Sequence, residues 1–245
     1  MRLYWKRGQI ALFFPKNDTF CPRFQYKTDG SPHDFCDKDI RDITRGELID
    51  FIKAGLQELI TEEIIKIAWH NLGGDESRLE VNSKKIRIPI RLSYVHKITE
   101  TEVREYILQN IEKYQYGLSV DKHVHIDGNF VMAIECKAFT ENAMIKRILV
   151  DFHLIKTVCP SISCFLFQLE SQLTGDYSAL PKTVYGSVST HSIMSYFENV
   201  DLHIFTLLAG ERSITKPIHT FFKPLKYDNV ERAVKLLESY LKEFV

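Results

Sequence analysis

The chain has no excess of charge of either sign and no internal repeat. Thirty-two basic residues balance thirty-two acidic ones, so the formal net charge at pH 7 is zero. Bulk basicity therefore gives no sign of nucleic-acid binding, and any such contact must come from local basic patches. The sequence also lacks heptads and low-complexity tracts, which excludes coiled-coil and solenoid architectures.

Cysteine is scarce and unpatterned. The five cysteines are odd in number and contain no C-x-x-C pair, which predicts reduced thiols in a cytoplasmic protein. His33 and Cys36 have a spacing found in metal sites, but no second pair completes a zinc site. The apolar run at residues 10–14 ends at Pro15 and is too short for a signal sequence or a membrane span. We therefore expect no contact with a membrane.

The chain of 245 residues is long enough for one large domain, and no linker divides it, which predicts a single domain. Helical spacing occurs over residues 45–71, 99–117, 140–159 and 228–244, and strand patterns occur over 86–92, 121–137, 161–170 and 202–210. This order predicts an α/β fold in which helices flank a mixed β-sheet, with a core at 45–210, an irregular N-terminal part at 1–43 and a C-terminal helix at 228–244. Residues 71–82 and 171–190 are predicted to be polar loops, and the second is long enough for a recognition or lid segment.

Residues 121–137, DKHVHIDGNFVMAIECK, have the pattern of a β-hairpin. Asp127-Gly128-Asn129 provides the turn, since these residue types tolerate positive φ. If these three residues form the loop, Ile126 pairs with Phe130 and Asp121 lies opposite Glu135. A register one residue off would mix the apolar side chains with Glu135, so burial favours the first pairing.

Alternation along the two strands predicts one apolar and one polar face. The apolar face would hold Val124, Ile126, Phe130, Met132, Ile134 and Cys136. The other would hold Asp121, His123, His125, Val131, Ala133, Glu135 and Lys137, with both histidines facing solvent.

Two carboxylates that face each other resist joint ionisation unless a cation lies between them. Oxygen ligands with open positions suit Mg²⁺, which keeps several waters and is usually held by one or two carboxylates and a substrate phosphate. Lys137 would then orient or deprotonate the attacking water, or stabilise the charge on the phosphate. Asp121, Glu135 and Lys137 therefore predict hydrolysis of a phosphodiester.

This pattern resembles the PD-(D/E)XK nuclease superfamily, which includes most type II restriction endonucleases. The resemblance rests on Val120-Asp121, thirteen intervening residues, and Glu135-Cys136-Lys137, with Val120 standing where the family has proline. It implies that Asp121 and Glu135 bind Mg²⁺, that the backbone carbonyl of Cys136 completes the site, and that Lys137 acts on the water or the phosphate. It also implies a restriction-endonuclease-like αβββαβ core.

Other residues remain candidates for the site. Asp127 is a second candidate metal ligand, although a tight hairpin would place it about 17 Å along the strand from Glu135, which favours a turn role. The glutamates of the first helix are predicted to form a solvated face, and the alternative is that one of them reaches a metal site; they are Glu47, Glu58, Glu62 and Glu63.

Two basic segments are candidates for contact with DNA phosphates. They contain Lys84, Lys85, Arg87, Arg91, Arg212 and Lys216. The size of the chain and its lack of a motor motif favour a type II restriction endonuclease that cuts double-stranded DNA without a nucleotide cofactor. Cleavage of a palindrome would require a homodimer. A repair or recombination nuclease and a non-catalytic DNA- or partner-binding module remain the alternatives.

Overall fold

The computed structural model describes residues 2–6, 9–13, 45–175, 177, 184–208, 210–213, 225 and 227–245. Side chains are described from Gln57 onward, except that of Tyr227. The pair His33 and Cys36 and the predicted DNA contact Lys216 lie outside the described residues.

The centre of the molecule is a five-stranded mixed β-sheet. Its strands are β3 (Leu79–Asn82), β6 (Lys122–Ile126), β7 (Asn129–Thr140), β8 (Ser163–Ser171) and β9 (Leu202–Thr206), in the order β3-β6-β7-β8-β9. The pairs β3–β6 and β6–β7 are antiparallel, whereas β7–β8 and β8–β9 are parallel. Two further pairs form separate ribbons: β1 (Arg2–Lys6) with β2 (Gln9–Phe13), and β4 (Ile86–Pro89) with β5 (Gln115–Leu118).

Helices cover both faces of this sheet. Longest is α1 (Arg45–Asn71), followed by α2 (Leu92–Val95), α3 (Thr101–Gln109), α4 (Asn142–Val158), α5 (Val188–Met194) and α6 (Tyr227–Leu241). One core cluster joins α1 and α6 to the sheet through residues such as Trp69, Phe167 and Leu237. A second joins α4 to the opposite face through Phe152 and Leu166. The predicted α/β class is confirmed, and α1, β3, β6, β7, α4 and β8 occur in αβββαβ order, with β4, α2, α3 and β5 inserted between β3 and β6.

The sequence between α1 and the hairpin was only partly predicted. The first helix ends at Asn71, as the range 45–71 predicted, and Gly73 follows it at φ +79°. However, the predicted loop at 71–82 contains strand β3, and the predicted strand at 86–92 ends at Pro89 and pairs only with β5. A proline cannot donate to a ladder, and the chain turns instead into α2.

The predicted boundaries of two helices were wrong. The helix predicted over 99–117 begins at Thr101, with Glu100 as an N-cap that makes no side-chain hydrogen bond, and ends at Gln109. Gly117 lies in β5 rather than at a helix end. Thr140 is the last residue of β7, and α4 begins at Asn142. The continuous apolar run of β8 is buried along nearly its whole length, as a central parallel strand requires.

Among the described residues, no helix is long and apolar enough to cross a membrane.

Candidate active site

The hairpin turn is tighter than predicted. Asp127 and Gly128 both have positive φ, 51° and 77°, and form a two-residue connection in which Ile126 pairs with Asn129. The predicted pairing of Ile126 with Phe130 is therefore wrong. A bulge between Val124 and His125 adds one residue on β7, so Val124 pairs with Met132 and Lys122 with Ile134. If this register is continued by one residue beyond the pair Lys122 and Ile134, Asp121 lies opposite Glu135, as predicted.

The bulge also exchanges two side chains between the faces of the hairpin. Phe130 packs against His123 and His125 on the face of the second core cluster, whereas Val131 packs against the first. The predicted face assignment is wrong for these two residues. Because Phe130 covers it, His123 is 1% exposed rather than facing solvent, and burial lowers its pKa to about 4.

Asp121 is attached to the backbone of the opposite strand. Its Oδ2 accepts a 2.7 Å hydrogen bond from the N–H of Cys136. Lys137 Nζ donates to Glu135 Oε1 at 2.5 Å, to the Cys136 carbonyl at 3.0 Å and to Asp121 Oδ2 at 3.4 Å. One ammonium group therefore touches all three oxygen donors that the sequence predicted for a metal ion.

These contacts change the electrostatics of the cluster. Burial and the charge of Asp121 both raise the pKa of Glu135. Burial alone would lower the pKa of Lys137, but the carboxylates of Glu135 and Asp121 act in the opposite direction and the net shift is upwards. The cluster therefore holds two carboxylates together through a cation.

The donor set fits a hard divalent cation that keeps water ligands. Within the described part of the chain, no group of three or more His, Cys, Asp or Glu side chains is arranged to hold a metal ion. Two carboxylates and one carbonyl are nevertheless the kind of partial set that Mg²⁺ uses, since it retains several waters. That the Lys137 ammonium sits against all three oxygens shows that they converge on one cationic position.

The helix α1 brings Glu58 to the same place. Gln57 donates to the Phe167 carbonyl at 2.6 Å, and Cys136 Sγ donates to Thr61 Oγ1 at 3.5 Å, so both sides of Glu58 are tied to the sheet. Burial raises the pKa of Glu58, and the charge of Asp121 adds to that shift. Of the other glutamates on α1, Glu62 binds Lys122 and Lys66. Glu47 lies before the residues whose side chains are described.

Asp151 of α4 is a further acidic residue near the cluster, and it was not predicted. Burial raises its pKa, while Arg147 and Lys137 act in the opposite direction. The sequence signal that could have identified Asp151 is its position on α4 between two buried residues of the apolar stripe, Ile148 and Ile155.

Asp127 lies at the opposite end of the hairpin from this cluster. Both of its oxygens bind Arg78, at 2.8 Å for Nη2–Oδ2 and 3.0 Å for Nε–Oδ1. Its positive φ and this ion pair give it the turn role that the sequence favoured over the metal site.

The predicted DNA contacts lie on different elements of the structure. Lys84, Lys85, Arg87 and Arg91 are exposed on or beside the β4–β5 ribbon, with Lys84 paired to Glu80 at 2.7 Å. The guanidinium of Arg212 lies 3.5 Å from the centroid of the Phe139 ring on β7. Phe139 is two residues beyond Lys137 on β7, so Arg212 belongs to the same side of the sheet as the acidic cluster.

The chain belongs to the type II restriction enzymes, which are site-specific deoxyribonucleases. The relative that shows this is the type II restriction enzyme DdeI of Desulfomicrobium norvegicum (strain DSM 1741 / NCIMB 8310), which is 54% identical over 211 residues. The aligned region covers 84% of this chain and 88% of DdeI. No protein-family model matches the chain, and no solved structure matches it.

Proposed function

We propose that the chain hydrolyses phosphodiester bonds of double-stranded DNA at a specific sequence in a Mg²⁺-dependent reaction, as a member of the PD-(D/E)XK superfamily. The observation that carries this proposal is the convergence of Asp121, Glu135 and the Cys136 carbonyl on one cationic position, occupied by Lys137 Nζ. Membership of the type II restriction enzymes supports the substrate and favours this function over the repair and non-catalytic alternatives.

Asp121 Oδ2, Glu135 Oε1 and the Cys136 carbonyl are the oxygens that would hold Mg²⁺. When bound, the ion would lower the pKa of a coordinated water and stabilise negative charge on the phosphate. The N–H of Cys136 keeps Asp121 in place beside Glu135, so both carboxylates are preorganised before any ligand enters.

Lys137 neutralises both carboxylates in this structure, and they in turn raise its pKa. Where Asp121 and Glu135 hold a divalent cation, Lys137 would be released from them to orient the attacking water or to donate to a phosphate oxygen.

DNA binding is assigned to the exposed basic residues of the β4–β5 ribbon and to Arg212. A palindromic site has twofold symmetry, so cutting both strands within it calls for a homodimer with one site for each strand. Contacts to phosphates position the duplex, while base-edge contacts select the sequence.

The test is incubation of the purified protein with long mixed-sequence DNA in Mg²⁺, with EDTA in a parallel sample. A reproducible set of discrete fragments that EDTA abolishes is the expected result. Intact DNA under all Mg²⁺ conditions would contradict the proposed activity, and a smear would contradict its sequence specificity.

A further inference from the structure

We propose that His123 is a positioning residue of the active site, which holds the segment that presents Asp121 to Glu135 and Lys137. This inference rests on the proposed function, because Asp121 is its proposed metal ligand. His123 touches none of the reacting groups named above and acts through Asp121.

The connection is a hydrogen bond to the residue before Asp121. His123 Nε2 accepts from the backbone N–H of Val120 at 3.2 Å, and both residues are buried. Strand β6 begins only at Lys122, so Asp121 lies just outside the ladder that fixes the rest of the hairpin. The imidazole therefore anchors the segment from the strand side, while the Cys136 N–H binds the carboxylate itself.

The geometry requires a defined tautomer. Because Nε2 accepts a hydrogen bond from an N–H group, it carries no proton, and a neutral ring must then carry its proton on Nδ1. The Phe130 ring lies 4.8 Å from the His123 ring, centroid to centroid, and fixes its orientation. An apolar side chain at this position would leave the buried Val120 N–H without that acceptor.

A matched control lies two residues along the same strand. His125 packs on the same Phe130 ring at 5.0 Å, but its Nδ1 faces Asn82 rather than the segment before Asp121. Substitution of His125 thus disturbs the same aromatic stack and leaves the Val120 bond intact.

The experiment compares His123→Leu, His123→Gln and His125→Leu in the full chain. The first readout needs neither metal nor DNA: it is amide hydrogen exchange at Cys136, whose N–H is bonded to Asp121. We expect exchange at Cys136 to accelerate at least about tenfold in His123→Leu, to return towards the wild-type rate in His123→Gln and to stay unchanged in His125→Leu. The amides of Phe165 and Leu166 in the central strand β8 serve as an internal reference for general loosening.

The second readout is single-turnover cleavage over a range of Mg²⁺ concentrations. His123→Leu should lower the maximal rate at least about tenfold and require more Mg²⁺, with DNA affinity changed by less than about twofold, because Asp121 and not the DNA surface is displaced. His123→Gln, which retains an acceptor, should recover part of that loss.

Three outcomes would overturn the proposal. They are a His123→Leu variant with wild-type Cys136 exchange, equal effects of the His123 and His125 substitutions, and an imidazole whose ¹⁵N shifts show the proton on Nε2. The last is measured in the wild-type protein, so it holds even if His123→Leu fails to fold. If the wild type never cleaves DNA but Cys136 exchange responds as expected, the proposed function fails while the positioning of Asp121 by His123 stands.

Discussion

The backbone N–H of Cys136 donates a 2.7 Å hydrogen bond to the carboxylate of Asp121. The residue just before strand β6 is thereby hydrogen-bonded to the middle of β7, one position from Glu135. The acidic cluster is therefore tied to the register of the hairpin, since a shift of one residue would move Glu135 and Lys137 to the other face.

The three clustered side chains should each be needed for cleavage. We expect Asp121→Ala, Glu135→Ala and Lys137→Ala each to lower the Mg²⁺-dependent rate by at least about a hundredfold, because each removes a group that acts on charge at the reacting phosphate. Plasmid cleavage gives the rate, and circular dichroism checks that each variant folds. A folded variant that cuts at the wild-type rate would remove that residue from the site.

Cys136 should matter through its backbone and not through its thiol. Cys136→Ala keeps the carbonyl and the N–H, so we expect cleavage within about twofold of wild type. The buried thiol lies in the first core cluster and donates to Thr61 Oγ1, so its loss should reduce the free energy of unfolding by about 1 kcal/mol. Urea denaturation measures the stability. A large loss of activity without a loss of stability would show a chemical role for the thiol.

Asp127→Ala tests whether Asp127 is a turn residue or a metal ligand. We expect full cleavage activity, because Asp127 binds Arg78 at the far end of the hairpin. Arg78 lowers the pKa of Asp127 below its ordinary value of 3.8. The ion pair therefore contributes stability above that ordinary value and loses it as the pH falls through the lowered pKa.

The stability difference between wild type and Asp127→Ala should accordingly be small at neutral pH and vanish in acid. Urea denaturation at several pH values measures it. Loss of cleavage in Asp127→Ala with normal stability would instead make Asp127 a metal ligand.

Glu58 should tune the affinity of the cluster for Mg²⁺. Glu58→Gln removes a negative charge that interacts with Asp121 and Lys137. We therefore expect the Mg²⁺ concentration needed for half-maximal cleavage to rise several-fold. Glu63→Gln is the matched control, because Glu63 lies on the same helix but binds Lys66, whose side chain is more exposed than that of Lys137. Equal effects of the two substitutions would show that only the overall charge of α1 matters.

The β4–β5 ribbon should supply phosphate contacts. We expect Arg87→Ala and Arg91→Ala each to weaken DNA binding and to reduce the slope of log affinity against log salt by about 1. Lys235→Ala is the control, because α6 covers the opposite face of the sheet from the ribbon. Fluorescence anisotropy at several salt concentrations measures the slope, and an unchanged slope would exclude the ribbon from the DNA interface.

The pairing of Asp121 with Glu135 across the hairpin was predicted correctly, but for a reason that was partly wrong. The predicted three-residue loop is one residue longer than the observed two-residue turn, and the bulge on β7 adds that residue back. Both arrangements therefore place Asp121 opposite Glu135. The bulge was hidden because Phe130 and Val131 are both apolar, and alternation cannot tell which of two adjacent apolar residues faces which cluster.

The burial of His123 was missed for the same reason. Once Phe130 crosses to the histidine face, it covers a side chain that alternation had placed in solvent. Strand β3 was missed because its four residues are too few for a pattern, and it exists only through pairing with β6. Local spacing thus predicted which hairpin residues share a face except at Phe130 and Val131 beside the bulge, whereas the burial of each residue depended on long-range packing.

The most direct test is Mg²⁺-dependent cleavage by wild type and Glu135→Gln, a substitution that keeps the shape of the side chain and removes its charge. We expect the wild type to produce discrete fragments that EDTA abolishes, and Glu135→Gln to bind the same DNA without cutting it at any Mg²⁺ concentration. Cleavage by folded Glu135→Gln at the wild-type rate would contradict the assignment of this acidic cluster as the active site.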